Sequence, residues 1–164
     1  MNKKIEYLNL YDKDGNLQKE KGIRGKKTKY LKGIVMIFIE NSKGEFLIQK
    51  TSKSRGSIHA TTGGHVEYGS NFLDSVINDV KEELGIDIRD EKIEELYTYI
   101  WEIYYQKVYY LKKDIDIKNI TIEKEEVEYI KWLSKEEINE LINNNEFREG
   151  NIEGYKHILK LKEK

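Results

Sequence analysis

A group of acidic side chains on one predicted helix is the part of this sequence best suited to chemistry. Asp79, Glu82 and Glu83 are spaced i, i+3 and i+4, so they share one face of that helix. Three carboxylates this close repel one another unless water or a cation neutralises them, and hard oxygen ligands select Mg²⁺ or Mn²⁺. The usual substrate beside such an ion is a di- or polyphosphate. A solvated charged face is the alternative interpretation of the same spacing.

A glycine-rich segment and a helix must position these carboxylates. Residues 71–84 carry apolar side chains at helical spacing, and Gly85 follows directly as a residue type that ends helices. Gly63 and Gly64 end the strand predicted before this helix, and Gly69 makes the turn between them. The apolar stripe that we expect to face the core consists of Leu73, Val76, Ile77, Val80 and Leu84.

The segment from Gly64 to Ile86 resembles the signature of the Nudix hydrolase family, with every spacing kept. That signature reads Gly, five residues, Glu, seven residues, then Arg-Glu-apolar-any-Glu-Glu-any-Gly-apolar. Three positions depart from it, because Ser70 replaces the first Glu, Asn78 replaces the Arg and Asp79 replaces the next Glu. The matching positions are Gly64, Val80, Glu82, Glu83, Gly85 and Ile86.

The departures are related in kind. In the family the first Glu and the Arg form an ion pair that braces the loop, whereas Ser70 and Asn78 are both small and neutral. We expect a Ser70–Asn78 hydrogen bond in its place, which avoids leaving one buried charge without its partner. Asp79 keeps the carboxylate on a side chain that is one methylene shorter.

The resemblance implies an α/β fold, an α/β/α sandwich around a mixed β-sheet. It also implies Mg²⁺ (or Mn²⁺) on Asp79, Glu82, Glu83 and the Gly64 carbonyl. The reaction it implies is cleavage of a phosphoanhydride in a nucleoside diphosphate linked to another moiety, by a metal-activated water. The late strand region supplies an extra carboxylate in many members, and Glu126 is our candidate for that catalytic role.

Three further residues are candidate substrate ligands. Lys50 and Arg55 carry charges suited to phosphate, although ordinary surface charge explains them equally well. The N-terminal hairpin makes the layout similar to the isopentenyl-diphosphate-isomerase-like branch, in which a His at the place of His65 binds a metal. Gly63 stands where the isomerases have a catalytic Cys, and the chain has no Cys at all, so isomerisation lacks its acid–base partner.

The remaining pattern predicts mostly strands, in one Nudix domain over residues 1–164. A hairpin is expected at about residues 5–19, and a basic loop at residues 19–29 that holds Lys21, Arg24, Lys26, Lys27 and Lys29. Ser134 and Glu137 form a capping box that starts a helix to about residue 143. The other predicted strands are 32–40, 45–50, 94–101, 103–111 and 127–133, and a last helix is predicted at 152–161.

Composition argues against nucleic acid as the partner, and the resemblance implies a small phosphorylated molecule instead. Lys and Arg number 29 against 30 Asp and Glu, and this balance argues against tight non-specific binding of nucleic acid. The longest apolar run, residues 34–39, is far shorter than the about 20 residues that span a bilayer. Without a signal-peptide pattern, we expect a cytoplasmic protein with no membrane association. A homodimer is compatible with the resemblance, since many relatives are dimers.

Two alternatives remain open from the sequence. A Nudix-fold ligand-binding module that is catalytically impaired would also explain the altered Ser70, Asn78 and Asp79, and a pure interaction protein is a third interpretation. Aromatic side chains on the predicted strands, Trp101 and Tyr104 among them, allow stacking on a nucleobase or packing within the sheet.

Overall fold

The computed structural model describes residues 4–163, which form nine strands and three α-helices. The strands are β1 Tyr7–Tyr11, β2 Leu17–Ile23, β3 Leu31–Glu40, β4 Phe46–Thr51, β5 His59–Ala60, β6 Thr62–His65, β7 Glu94–Trp101, β8 Tyr104–Lys112 and β9 Val127–Leu133. The helices are α1 Phe72–Leu84, α2 Lys135–Asn143 and α3 Glu149–Lys162. No helix among residues 4–163 is long and apolar enough to cross a membrane.

Strand β3 is the centre of a single mixed sheet. It runs parallel to β8 through nine residue pairs, from Lys32 opposite Tyr104 to Glu40 opposite Lys112. Its other edge is shared by β1 at the start, β6 in the middle and β4 at the end, all antiparallel. The hairpins β1–β2 and β7–β8 and the pairs β4–β5 and β4–β9 complete the sheet. The glycines of β6 and the aromatic residues that begin β8 are therefore brought to the two sides of one strand.

The sheet is covered by helices on both faces, so β3 reads as an unbroken apolar run. Val35, Ile37 and Ile39 pack with α1 residues on one face, while Met36 and Phe38 pack against α2 and α3 on the other. Successive side chains of a strand point to opposite faces, and this period of two divides the core into two layers. The predicted α/β/α sandwich around a mixed sheet is confirmed.

Two predicted elements need correction. The basic loop expected at residues 19–29 is partly a strand, because β2 continues to Ile23 and pairs with β1 opposite Tyr7. Most side chains of β2 are exposed and charged, which is typical of a protected edge strand and hides the alternation that would reveal it. The last helix begins at Glu149, three residues before the predicted start.

Strands β6 and β3 approach each other very closely at Gly63. A Cβ atom built there would lie 2.1 Å from the Val35 carbonyl oxygen and 2.9 Å from the Met36 Cα, so no side chain fits. β6 can therefore lie against β3 only with glycine at this position.

Gly63→Ala should lower the free energy of unfolding by about 3 kcal/mol or more, because backbone atoms on both sides must move. Gly25→Ala is the control, since Gly25 has open space around it; the positive φ (86°) of its backbone, which Gly63 does not share, should cost about 1 kcal/mol. Urea unfolding of the two variants measures the difference. Equal losses would contradict the steric argument.

Candidate functional site

A cavity of about 580 Å³ lies where α1, β3, β4, β6, the β7–β8 turn and the start of α3 meet. It contains seven of the eight residues that the sequence singles out: Gly64, Asp79, Glu82, Glu83, Glu126, Arg55 and His65. Lys50 does not line it. Gln49 and Thr51 on either side of Lys50 face the cavity, and alternate residues of a strand point to opposite faces. The assignment of Lys50 as a substrate ligand is therefore corrected.

Asp79 is one of two acidic side chains in the inner part of the cavity, and it packs against Gly64. Its Oδ2 atom is buried and has no hydrogen-bond partner among the described residues. A Cβ atom at Gly64 would lie 3.0 Å from that oxygen, so the glycine leaves room for the carboxylate. Burial, followed by the negative charge of Glu83 and Glu82, raises the pKa of Asp79 to about 8.

Glu83 is held in one orientation by its neighbours. The side chain is 5% exposed, and its Oε1 accepts a hydrogen bond of 3.1 Å from Gln49 Nε2. Gln49 in turn accepts one from the Thr62 hydroxyl at 3.4 Å, which fixes the amide with its NH₂ towards the carboxylate. Burial raises the pKa of Glu83 to about 8, and the hydrogen bond from Gln49 acts in the opposite direction.

The outer acidic groups are Glu67, Glu82 and Glu126, near enough to Asp79 that each raises its pKa. Burial and the charges of Glu67 and Glu126 also raise the pKa of Glu82. Glu126 forms an ion pair with Arg55 at 2.9 Å, with the two side chains 40% and 35% exposed. The predicted base Glu126 and the predicted substrate ligand Arg55 therefore pair with each other at the rim of the cavity, where a solvent-exposed ion pair is weak.

These carboxylates fit a divalent cation whose remaining ligands are supplied by the substrate and by water. No group of three or more histidine or acidic side chains among residues 4–163 forms a ready-made metal cage. Mg²⁺ does not require one, because it usually keeps several waters and takes one or two carboxylates together with substrate phosphates. The unpartnered Asp79 oxygen is the specific feature that a cation would satisfy.

The loop before α1 is braced differently from our expectation. Ser70 Oγ receives a hydrogen bond of 3.4 Å from Ser75, and the Asn78 side chain is exposed, so the expected Ser70–Asn78 bond is wrong. Asn9, buried on β1, donates to the Ser70 carbonyl at 2.9 Å and accepts from the Gly69 N–H at 3.1 Å. The N-terminal hairpin thus supplies the brace.

Aromatic rings form the opposite end of the cavity. Trp101 and Tyr104 are nearly parallel, with ring centroids 6.2 Å apart and 12° between planes, and His65 meets Tyr104 edge-on at 5.8 Å. Burial, with the charges of Arg24 and Lys32, lowers the pKa of His65 to about 4. An imidazole with this pKa carries no charge at pH 7, so the cluster of Trp101, Tyr104 and His65 is uncharged at that pH.

Sequence reasoning missed Asn9, Gln49 and Arg148, although all three act on this site. Gln49 and Arg148 line the cavity, and Asn9 lies behind the loop. None belongs to the segment 64–86, and Arg148 is more than sixty residues from its end. Only tertiary structure brings them there, and no spacing rule connects them.

The NUDIX domain family model matches residues 30–155 of this chain. One relative, the uncharacterized Nudix hydrolase lin0387 of Listeria innocua, is 27% identical over 149 residues, which cover 87% of this chain and 88% of the relative. The family model covers β3, β4, β6, α1 and the start of α3, whereas Glu6, Leu8 and Arg24, which also line the cavity, precede it.

Two solved structures share the fold. DR0079 from Deinococcus radiodurans superimposes with a TM-score of 0.76 at 20% identity, covering 90% of this chain and 94% of that one. The Escherichia coli dihydroneopterin triphosphate pyrophosphohydrolase gives 0.55 at 18% identity, covering 62% and 80%. At these identities the likeness extends to the fold alone.

Asp79→Asn should stabilise the metal-free protein at high pH. A buried carboxyl with a raised pKa costs nothing below pH 4; the cost grows as pH rises towards 8, because the unfolded chain ionises first. In EDTA, the wild type should lose stability from pH 5 to 8.5, and the variant should be about 1–3 kcal/mol more stable at pH 8.5. Thermal denaturation at both pH values measures this.

Asp90→Asn is the matched control, since Asp90 is exposed in a turn. It should follow the wild type at both pH values. A wild type whose stability does not change over this range, or an Asp79→Asn protein less stable than it at pH 8.5, would contradict the argument.

Proposed function

This chain belongs to the Nudix hydrolase family, and we propose that it is a Mg²⁺-dependent hydrolase of a nucleoside diphosphate linked to another moiety. The observation that carries the proposal is the buried, unpartnered carboxylate of Asp79 beside Gly64, within reach of four other acidic side chains. Such a concentration of negative charge is costly by itself, and a cation that brings a diphosphate with it removes the cost.

The proposed ligand set is Asp79, Glu82 and Glu83, with the Gly64 carbonyl. When bound, the ion supplies charge neutralisation at the phosphates and lowers the pKa of a coordinated water. Gln49 holds the Glu83 carboxylate in place through its hydrogen bond of 3.1 Å. Glu126 lies at the rim as the proposed base for a water proton, and Arg55 beside it is placed to exchange that carboxylate for a phosphate oxygen.

The nucleoside part of the proposal is supported by the aromatic end of the cavity. Trp101 and Tyr104 line it together with the neutral His65, and aromatic faces bind nucleobases by stacking. Tyr105, by contrast, packs against Tyr11 and Phe72, with ring centroids 5.8 and 6.0 Å apart, and does not line the cavity. Of the strand aromatics, Trp101 and Tyr104 are therefore the ones that we assign to the substrate. A cytoplasmic location and a homodimer stay proposals that the site itself does not require.

The second candidate is a ligand-binding module of the same fold with impaired catalysis. The observation in its favour is that Ser70 and Asn78 lack the family's ion pair, while Glu126 is already engaged by Arg55. A binding module and an enzyme both respond to metal, and turnover distinguishes them.

A hydrolysis screen read by mass spectrometry tests the proposal. The panel holds nucleoside triphosphates, ADP-ribose, NADH, dinucleoside polyphosphates, nucleotide sugars and coenzyme A, each with Mg²⁺ or Mn²⁺. Glu83→Gln should lower turnover at least about 100-fold, a loss typical of removing an essential catalytic group. Glu20→Gln, on the exposed face of β2, is the control and should leave turnover unchanged.

Thermal denaturation separates loss of metal binding from loss of folding. Mg²⁺ should raise the melting temperature of the wild type and not that of Glu83→Gln, because only a ligand that binds the native state stabilises it. Without metal the variant should melt no lower than the wild type, since the amide can still accept from Gln49. A metal response without cleavage of any panel member would favour the binding module. No response to metal at all would refute both.

A further inference from the structure

Arg148 enters the cavity from the segment just before α3 and is fixed there by its backbone. Its N–H donates to the His59 carbonyl at 2.8 Å, and its carbonyl accepts from the Asn151 N–H at 3.0 Å. The neighbouring Phe147 is 2% exposed in the core. The position of this arginine is thus set by β5 and by the start of the helix, and its side chain is left to line the cavity.

The guanidinium of Arg148 has no partner within the described residues 4–163. Three arginines line the cavity, and the other two form ion pairs, Arg55 with Glu126 at 2.9 Å and Arg24 with Glu6 at 3.1 Å. Arg148 is partly buried and interacts with the charge of Glu83, yet no carboxylate lies within the 4.0 Å of an ion pair. A cation that is partly withdrawn from water is normally paired, because the lost hydration is otherwise not compensated.

The charges around Arg148 define the chemistry of the missing partner. A free anion would be repelled by Asp79 and Glu83, and a free cation would be repelled by the guanidinium. A metal-bound diphosphate presents both signs, with the cation towards the carboxylates and non-bridging oxygens towards the arginine. The planar fork of arginine matches two phosphate oxygens better than a lysine ammonium does.

We propose that Arg148 is a substrate-binding residue whose guanidinium donates to non-bridging oxygens of the diphosphate group of the substrate. The inference rests on the proposed function in taking a diphosphate as the ligand, but it does not require turnover. It adds to the site a phosphate ligand from the C-terminal helix region, outside the segment 64–86. Arg55, at the rim, can then keep its ion pair with Glu126 or bind a more distal part of the substrate.

Binding of methylenediphosphonate, a non-hydrolysable diphosphate, tests the proposal by isothermal titration calorimetry in the presence of Mg²⁺. Arg148→Met keeps the length of the side chain and removes its charge, and affinity should fall at least tenfold. Arg148→Lys should bind less tightly than the wild type and more tightly than Arg148→Met. The matched control is Arg89→Met, because Arg89 is exposed and pairs with Asp74 away from the cavity; its affinity should equal that of the wild type.

Melting temperature separates this role from a structural one. Without ligand, Arg148→Met should melt close to the wild-type temperature, because the guanidinium makes no hydrogen bond or ion pair within residues 4–163 whose loss would destabilise the fold. Wild-type affinity in both Arg148 variants, or no binding of the probe by the wild type, would overturn the proposal. If Arg148→Met does not fold, wild-type affinity in a folded Arg148→Lys still overturns it.

The outcome is separable from that of the proposed function. Arg148-dependent binding with no cleavage across the nucleotide panel would keep this inference and refute the hydrolase. Cleavage with unchanged kcat/KM in Arg148→Met would keep the hydrolase and refute this inference. If both hold, kcat/KM of the cleaved substrate should fall at least tenfold in Arg148→Met and not in Arg89→Met.

Discussion

The constraint on which the site depends is a pair of carboxyl groups kept in a place where the protein does not compensate their negative charge. Asp79 lies against a glycine with one oxygen unpartnered, and Glu83 is buried one helical turn further on. Two buried carboxyl groups this close are unfavourable when ionised, because burial and the repulsion between them both oppose the negative charge. Packing elsewhere in the molecule offsets this unfavourable free energy, through a strand that is buried on both faces and the two apolar layers that cover it.

Strand β3 fixes the position of these two carboxyl groups relative to the other parts of the cavity. Gly63 and Gly64 lie along one edge of it, and the aromatic start of β8 lies along the other. The acidic end and the aromatic end are therefore separated by the width of a few strands, a distance fixed by backbone hydrogen bonds. Side chains that contact substrate are placed by rigid elements, and this limits how far they can relax when charge is added or removed.

The sequence is most informative where local rules decide the structure. The helix predicted at residues 71–84 with its Gly85 end, and the strands 94–101 and 127–133, follow from periodicity and capping, and they agree closely with the structure. The same rules did not reveal that β2 continues beyond residue 19, because an exposed charged edge strand has no apolar face to show. The face of Lys50, the brace from Asn9 and the inward side chain of Arg148 depend on long-range pairing, which a single sequence does not encode in any local pattern.

The hydrogen bonds from Asn9 make the geometry of the loop before α1 depend on a strand outside the family domain. The family model matches residues 30–155, and Asn9 lies outside that range while holding the loop inside it. A recombination that exchanged the first hairpin would keep every residue of the segment 64–86 and still change the geometry of its loop. Divergence among relatives can therefore begin in a strand outside the family model, and comparison of the segment 64–86 alone would miss it.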